Sequence, residues 1–300
     1  MNTKSVHRAV KAGVLLAGAF FGMAAWSQTT TFASIYSGAG TSGGACSSSY
    51  NIAGVEPSAA GTYPLFVYVV GTNESYNNGA AMAAVNSMAS KGYVAATIDY
   101  AASQFGSCSV IGDKASCAFN PNNAASAVTQ LCSRGKADCS KGIVVAGFSQ
   151  GSIIAILAKN YDARVQAAYA MGASTVYSTY DMSSCMANGT HTLQNDRLRV
   201  VDGERDNFAG GSHAAVQTQT QKVTGYTCAA GSTTCLTSNG SGWAIVKNTQ
   251  VQDRSADHCY MRYSGDCFGS QNSLDQGWKT GTLDWEMPAN LNWLTKFTTK

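Results

Sequence analysis

Short apolar runs alternate with helix-like stretches along most of this chain, and this alternation limits the folds open to it. The predicted strands are residues 64–70, 93–99, 142–146, 165–171, 198–202 and 242–251. The predicted helices are residues 80–91, 122–132, 152–160 and 283–297. Buried strands that alternate with helices form a mostly parallel sheet covered on both faces. In such α/β folds, ligands bind at the carboxyl ends of the strands.

The first 27 residues have the pattern of a secretory signal peptide. Three basic residues precede the apolar segment 13–26, and the small residues Ala25 and Ser27 precede a cleavage site after Ser27. The alternative is a membrane anchor, which the short apolar run disfavours. We therefore expect residues 1–27 to be removed. Residues 28–300 then form one catalytic domain, secreted to the periplasm or the cell exterior without a membrane anchor.

The charge of the mature chain is balanced. The formal net charge is +3, and the signal segment with Lys4, Arg8 and Lys11 accounts for all of it. Cleavage leaves 17 basic and 17 acidic residues. This chain therefore lacks the basic patch of a nucleic-acid-binding protein and the polybasic surface that binds anionic lipid. We expect no nucleic-acid partner and a monomeric protein.

All ten cysteines lie in the mature chain, and an even number in an exported protein indicates disulfides. Pairs close in sequence are expected to bond, and the remaining two cysteines would form a long-range bridge. The predicted pairs are 108/117, 132/139, 228/235, 259/267 and 46/185. Sequence alone leaves this connectivity open. A zinc site is the alternative, which the absence of a CxxC pair and the scattered histidines disfavour, so we expect no metal.

The segment Gly147-Phe148-Ser149-Gln150-Gly151 joins the predicted strand 142–146 to the predicted helix 152–160. A G-x-S-x-G sequence in a strand–turn–helix context predicts a nucleophilic serine on a tight, strained turn. The residues two before and two after the serine must be small, because strand and helix nearly touch there. The alternative is a glycine-rich turn that contains a serine by chance.

A serine needs a base to accept its proton, and histidine oriented by a carboxylate is the usual one. In folds of this type the partners follow the serine in the order acid, then histidine. His258 lies in a loop shortly after the last predicted strand and is the expected base. His191 precedes the acid strand, and His213 lies in a polar, helix-like stretch, so both fit a solvated surface better.

The acid is expected just beyond the predicted strand 198–202. Asp206 follows that strand and its glycine turn and is the preferred candidate, with Glu204 as the runner-up. Asp202 is expected to cap the strand, and Asp257 lies too close to the histidine in sequence to orient it.

Two backbone N–H groups are expected to stabilise an oxyanion. One belongs to Gln150 at the start of the helix, and the other belongs to Thr72 in the loop after the predicted strand 64–70. Phe148, Tyr100 and Trp243 are candidates for an acyl pocket, although aromatic residues at such positions are more often part of the core.

The GFSQG pentad, the GERD segment and the late DH loop resemble the α/β-hydrolase superfamily, and the pentad is similar to the GYSQG of cutinases. This resemblance implies a mostly parallel central sheet, no cofactor and an acyl-enzyme mechanism on an ester, in a cutinase-like, polyester-degrading or carboxylesterase protein. The short segment between the predicted strands 165–171 and 198–202 predicts the absence of a large lid. A peptidase or acyltransferase with the same triad, or a binding protein without activity, remains an alternative.

Overall fold

The computed structural model describes residues 28–37, 48–177, 179–263, 267 and 270–300, so the predicted signal peptide lies outside the described residues. The strands are β1 Thr29–Ser37, β2 Ser49–Pro57, β3 Leu65–Val69, β4 Val94–Ile98, β5 Ile143–Phe148, β6 Val165–Met171, β7 Val176–Tyr177, β8 Tyr180–Asp181, β9 Leu198–Gly203, β10 Thr234–Leu236 and β11 Gly242–Val246. The α-helices are α1 Gly79–Ser90, α2 Cys108–Phe119, α3 Ala127–Cys132, α4 Gln150–Tyr161, α5 Ser183–Met186, α6 His213–Thr224, α7 Gln276–Thr280 and α8 Met287–Leu294.

Nine of the described strands form one sheet in the order β1-β2-β4-β3-β5-β6-β9-β11-β10. The six strands from β4 to β11 in this order run parallel, whereas β1, β2 and β10 are antiparallel to their neighbours at the two edges. Every residue of β3, β4 and β5 is buried, as expected for parallel strands flanked by helices. The predicted α/β class with a mostly parallel central sheet is therefore confirmed.

The predicted strands are all present, but three predicted elements are clearly shorter than expected. Helix α8 covers Met287–Leu294 instead of residues 283–297. Strand β11 ends at Val246 instead of residue 251. Helix α3 begins at Ala127 instead of residue 122, because Ser126 caps it by accepting a hydrogen bond from the Thr129 N–H. Helix α2 and the edge strands β1 and β2 were not predicted.

Four disulfides join described cysteines, and three of them confirm predicted pairs: 132/139, 228/235 and 259/267. The predicted pair 108/117 is wrong, because Cys108 bonds to Cys185 instead. Cys108 and Cys117 lie on the same helix, nine residues apart, which separates them by about 13 Å along its axis, beyond the reach of a disulfide. The pair 46/185 is therefore wrong as well, and Cys46 itself lies outside the described residues.

The Cys108–Cys185 bridge is expected to contribute more stability than the short bridges, because it spans 77 residues of sequence whereas Cys132–Cys139 spans 7. Loop-closure entropy in the unfolded chain gives about 4.5 kcal/mol for the long bridge and about 2.5 kcal/mol for the short one. Denaturant unfolding of the two double alanine variants measures the difference. Equal losses in both variants would contradict the expectation.

None of the helices in the described part of the chain has the length and apolar character required to cross a membrane. The segment between β6 and β9 contains only short elements in its described residues, namely the β7–β8 hairpin, helix α5 and one 3-10 turn. This hairpin lies beside the carboxyl edge of the sheet, where the predicted site residues are found.

Candidate active site

Ser149 lies at the sharp turn between β5 and α4. Its φ of 52° and ψ of −122° are unusual for a residue other than glycine, and such strain is typical of functional sites. The surrounding structure holds it there, because the Ser149 N–H donates to the Met171 carbonyl at 2.8 Å. Only 9% of the residue surface is exposed. The tight turn predicted for the serine is therefore present.

Gly147 and Gly151 flank this turn where the strand and the helix touch. A Cβ atom on Gly147 would lie 2.1 Å from the Gly151 carbonyl oxygen. A Cβ atom on Gly151 would lie 2.2 Å from the carbonyl oxygen of Val69 in β3. These contacts are with backbone atoms, so neither position has room for a side chain, as the sequence pattern predicts.

His258 and Asp206 form a buried pair. The Nδ1 atom of His258 lies 2.7 Å from Asp206 Oδ2, and the two residues are 5% and 1% exposed. Because a carboxylate accepts hydrogen bonds, the proton lies on Nδ1 and leaves Nε2 with a free lone pair. Nε2 has no hydrogen-bond partner among the described residues, Ser149 included. It is therefore available to accept a proton.

The carboxylate of Asp206 is held in place by the backbone that follows it. Its Oδ1 accepts from the Phe208 N–H at 2.8 Å, which leaves Oδ2 for the histidine. Gly203 permits this arrangement, because a Cβ atom there would lie 2.2 Å from the Asp257 carbonyl oxygen. Strand β9 can thus end directly against the loop that carries His258.

The other acids near the histidine have different contacts. Glu204 accepts from the Asn248 N–H at 2.7 Å and lies 3.8 Å from His213. Asp202 accepts from the Ala173 N–H at 2.9 Å, and burial together with the charge of Asp206 raises the pKa of Asp202 well above its usual value. Burial likewise raises the pKa of Asp257, to about 6. Of these carboxylates, that of Asp206 is the one hydrogen-bonded to His258 Nδ1.

Ser149 and His258 line one cavity of about 630 Å³. Its aromatic lining comprises Phe105, Phe148, Tyr177, Tyr180 and Phe208. The rings of Phe148 and Phe208 lie 4.9 and 4.5 Å from the imidazole ring of His258, centroid to centroid. An apolar cavity with a few convergent polar groups is typical of a binding site for a small molecule.

The two predicted oxyanion donors lie beside Ser149. Gln150 is the first residue of α4, so its N–H has no acceptor within the helix and lies at the positive end of the helix dipole. Thr72 lines the cavity, and the loop that carries it packs closely on the serine, since a Cβ atom on Gly71 would lie 3.2 Å from Ser149 Cβ. The side chains of Gln150 and Thr72 are also joined, with Nε2 donating to Oγ1 at 2.9 Å.

Two of the three predicted pocket residues lie elsewhere. Phe148 lines the cavity, but neither Tyr100 nor Trp243 is among the described residues that do so. Trp243 is fully buried in β11, and its indole N–H donates to the Tyr226 carbonyl at 2.8 Å. Tyr100 is 5% exposed and donates to the Val70 carbonyl at 2.7 Å. Both are core residues, which is the commoner role of an aromatic residue in or next to a strand.

Sequence reasoning missed two features beside the cavity. Glu74 forms a buried ion pair with Arg262 and also accepts from the Gly71 N–H at 2.6 Å, which connects the loop after β3 to the loop after His258. Lys114 of α2 donates to the Gln150 side chain at 2.7 Å. The only sign of the Lys114 contact in the sequence is a lysine within a stretch that has few charged residues.

No family model and no curated protein matches this chain. Among solved structures, the chain is similar to a hypothetical protein from Pseudomonas aeruginosa, with 16% sequence identity and a TM-score of 0.38. The similarity covers 54% of this chain and 46% of that protein, so the chain spans less than half of that protein's length. Function therefore has to be inferred from the geometry of the site.

Proposed function

We propose that this protein is a secreted serine hydrolase of the α/β-hydrolase type that cleaves carboxylic esters. The observation that carries the proposal is the 2.7 Å contact between His258 and Asp206 at the cavity that also contains Ser149 on its strained turn. A nucleophile, a base and a group that orients the base are the minimum requirement for acyl transfer through a covalent intermediate. The GFSQG pentad, similar to that of cutinases, favours an ester over an amide as the substrate.

The chemistry follows from the protonation states of these groups. Ser149 attacks the ester carbonyl while His258 Nε2 accepts its proton, and Asp206 stabilises the imidazolium that results. The imidazolium then protonates the leaving alcohol. Water repeats the sequence on the acyl-enzyme, with His258 again acting as base, and releases the acid and the free serine.

The oxyanion of each tetrahedral intermediate forms next to the N-terminus of α4. The N–H groups of Gln150 and Thr72 are the proposed donors, and the helix dipole adds to their effect. The apolar lining of the cavity lowers the local dielectric, which strengthens these interactions in the transition state. Neither the formation nor the hydrolysis of the acyl-enzyme requires a cofactor.

The disulfides support the proposal of export. Four bridges among the described cysteines would be reduced in most cytosolic compartments but persist in the periplasm or outside the cell. The oxidised mature chain, residues 28–300, is therefore the material for every assay.

Covalent labelling tests the proposal. A fluorophosphonate reacts with an activated serine, and we expect one label per chain, located by mass spectrometry on Ser149. The same protein is expected to hydrolyse p-nitrophenyl esters in a series from acetate to palmitate, whose profile separates a short-chain esterase from a cutinase-like enzyme. The Ser149→Ala variant is the control for both measurements, because it lacks the hydroxyl group that would react with the fluorophosphonate and attack the ester.

The outcomes separate the alternatives. Labelling of Ser149 without hydrolysis of any ester would contradict the ester proposal and favour a peptidase or an acyltransferase. Absence of both labelling and hydrolysis in the folded, oxidised protein would contradict the serine hydrolase itself and favour a binding protein.

A further inference from the structure

Lys114 is a buried lysine near the candidate site, and its hydrogen bonds within the described part of the chain are all with uncharged groups. It lies on α2 with 2% of its surface exposed, and its Nζ donates to the Gln104 carbonyl and to Gln150 Oε1, the latter at 2.7 Å. Burial alone lowers its pKa, to about 8, so the amine still carries its proton at pH 7. Burying an ammonium group is costly, and a lysine in such a position requires a structural or functional reason.

The lysine determines which way the Gln150 side chain points. A protonated amine can only donate hydrogen bonds, so the oxygen of the carboxamide must face Lys114. The NH2 group of the fully buried Gln150 side chain therefore faces the opposite way, where it donates to Thr72 Oγ1 at 2.9 Å and to the Ala102 carbonyl at 3.5 Å. The positive charge of Lys114 polarises the Gln150 carboxamide, which strengthens the hydrogen bond that its NH2 group donates to Thr72.

Thr72 is held at the cavity by this contact and by both of its neighbours, since the preceding Gly71 N–H donates to Glu74. The following residue, Asn73, has a φ of 59°, and its N–H donates to the same Ala102 carbonyl at 3.1 Å. Gln150 thus connects helix α4, the Ala102 backbone and the loop after β3.

We propose that Lys114 is a positioning residue: it orients the Gln150 side chain, which holds Thr72 in place to stabilise the oxyanion formed at Ser149. The inference rests on the proposed serine hydrolase, because the position of Thr72 affects a rate only if an oxyanion forms there. Lys114 itself does not contact the substrate.

A double-mutant cycle with Lys114→Met and Thr72→Ala tests the proposal on p-nitrophenyl butyrate. Removing one oxyanion donor lowers kcat about a hundredfold or more. We therefore expect the displacement of Thr72 in Lys114→Met to lower kcat about 10- to 100-fold, while KM stays within about twofold of the wild-type value. In the Thr72→Ala background the same change is expected to lower kcat less than about threefold, since the contact through which Lys114 acts is already absent. Lys159→Met is the matched control, because Lys159 also donates from a helix to backbone carbonyls, far from Thr72, at 2.6 and 3.0 Å.

The variant Gln150→Glu gives the same test if Lys114→Met does not fold. A carboxylate keeps the contact with Lys114 but can donate neither to Thr72 Oγ1 nor to the Ala102 carbonyl. We therefore expect kcat to fall at least tenfold, and to fall less in the Thr72→Ala background. Suppose that the wild type is active. A change in kcat of less than twofold in these variants, or an equal fall in kcat with Thr72 and with Thr72→Ala, would then overturn the positioning role alone. A wild type that neither hydrolyses esters nor reacts with the fluorophosphonate would overturn it together with the proposed function.

Discussion

Replacing Asp206 with asparagine is expected to lower kcat about ten-thousandfold while the protein remains folded. The Phe208 N–H donates to Asp206 Oδ1, so the amide oxygen of the asparagine takes that place and its NH2 group faces His258. The imidazole then has to accept at Nδ1 and carries its proton on Nε2. In that tautomer it has no lone pair available for the proton of Ser149. Initial rates on a p-nitrophenyl ester measure the loss.

The matched control is Glu204→Gln, which changes the runner-up acid two residues earlier. Its carboxylate accepts from the Asn248 N–H at 2.7 Å, a contact that an amide oxygen can keep. We expect kcat within about twofold of the wild type. If Glu204→Gln lost the activity and Asp206→Asn kept it, the assignment of the acid would be wrong.

The central sheet could be predicted from sequence because its strands are uniformly apolar. All five residues of β3 and of β4 are buried, so each strand is a continuous hydrophobic run. Helix α2 escaped prediction because its buried face includes Lys114 next to Ile111 and Ala115, which interrupts the apolar periodicity. That omission also produced the wrong pairing of Cys108 with Cys117, because both residues lie on α2 and are too far apart along the helix to bond.

The positions of Ser149, Asp206 and His258 could be predicted because chain order and turn chemistry determine them. The glycines that the turn requires are visible in the sequence as a pattern. The composition of the cavity could not be predicted, since it depends on which loops meet at the edge of the sheet. Tyr177 and Phe208 lie in the short β7–β8 hairpin and in a 3-10 turn outside the central sheet, whereas Trp243 lies in a strand of that sheet and packs into the core.

The second large effect is expected from Gly151→Ala, which should strongly destabilise the native fold. The added Cβ atom would lie 2.2 and 2.4 Å from the carbonyl oxygens of Val69 and Val70, and neither can move without displacing a central strand. We expect a loss of more than about 4 kcal/mol in the free energy of unfolding, measured by guanidinium denaturation of the oxidised protein. Gly135→Ala is the matched control, because its added Cβ atom has nothing within 4 Å, and its stability should change by less than about 0.5 kcal/mol. Equal stability of the two variants would mean that α4 and β3 do not touch at Gly151, and the strained turn that presents Ser149 would lose its structural basis.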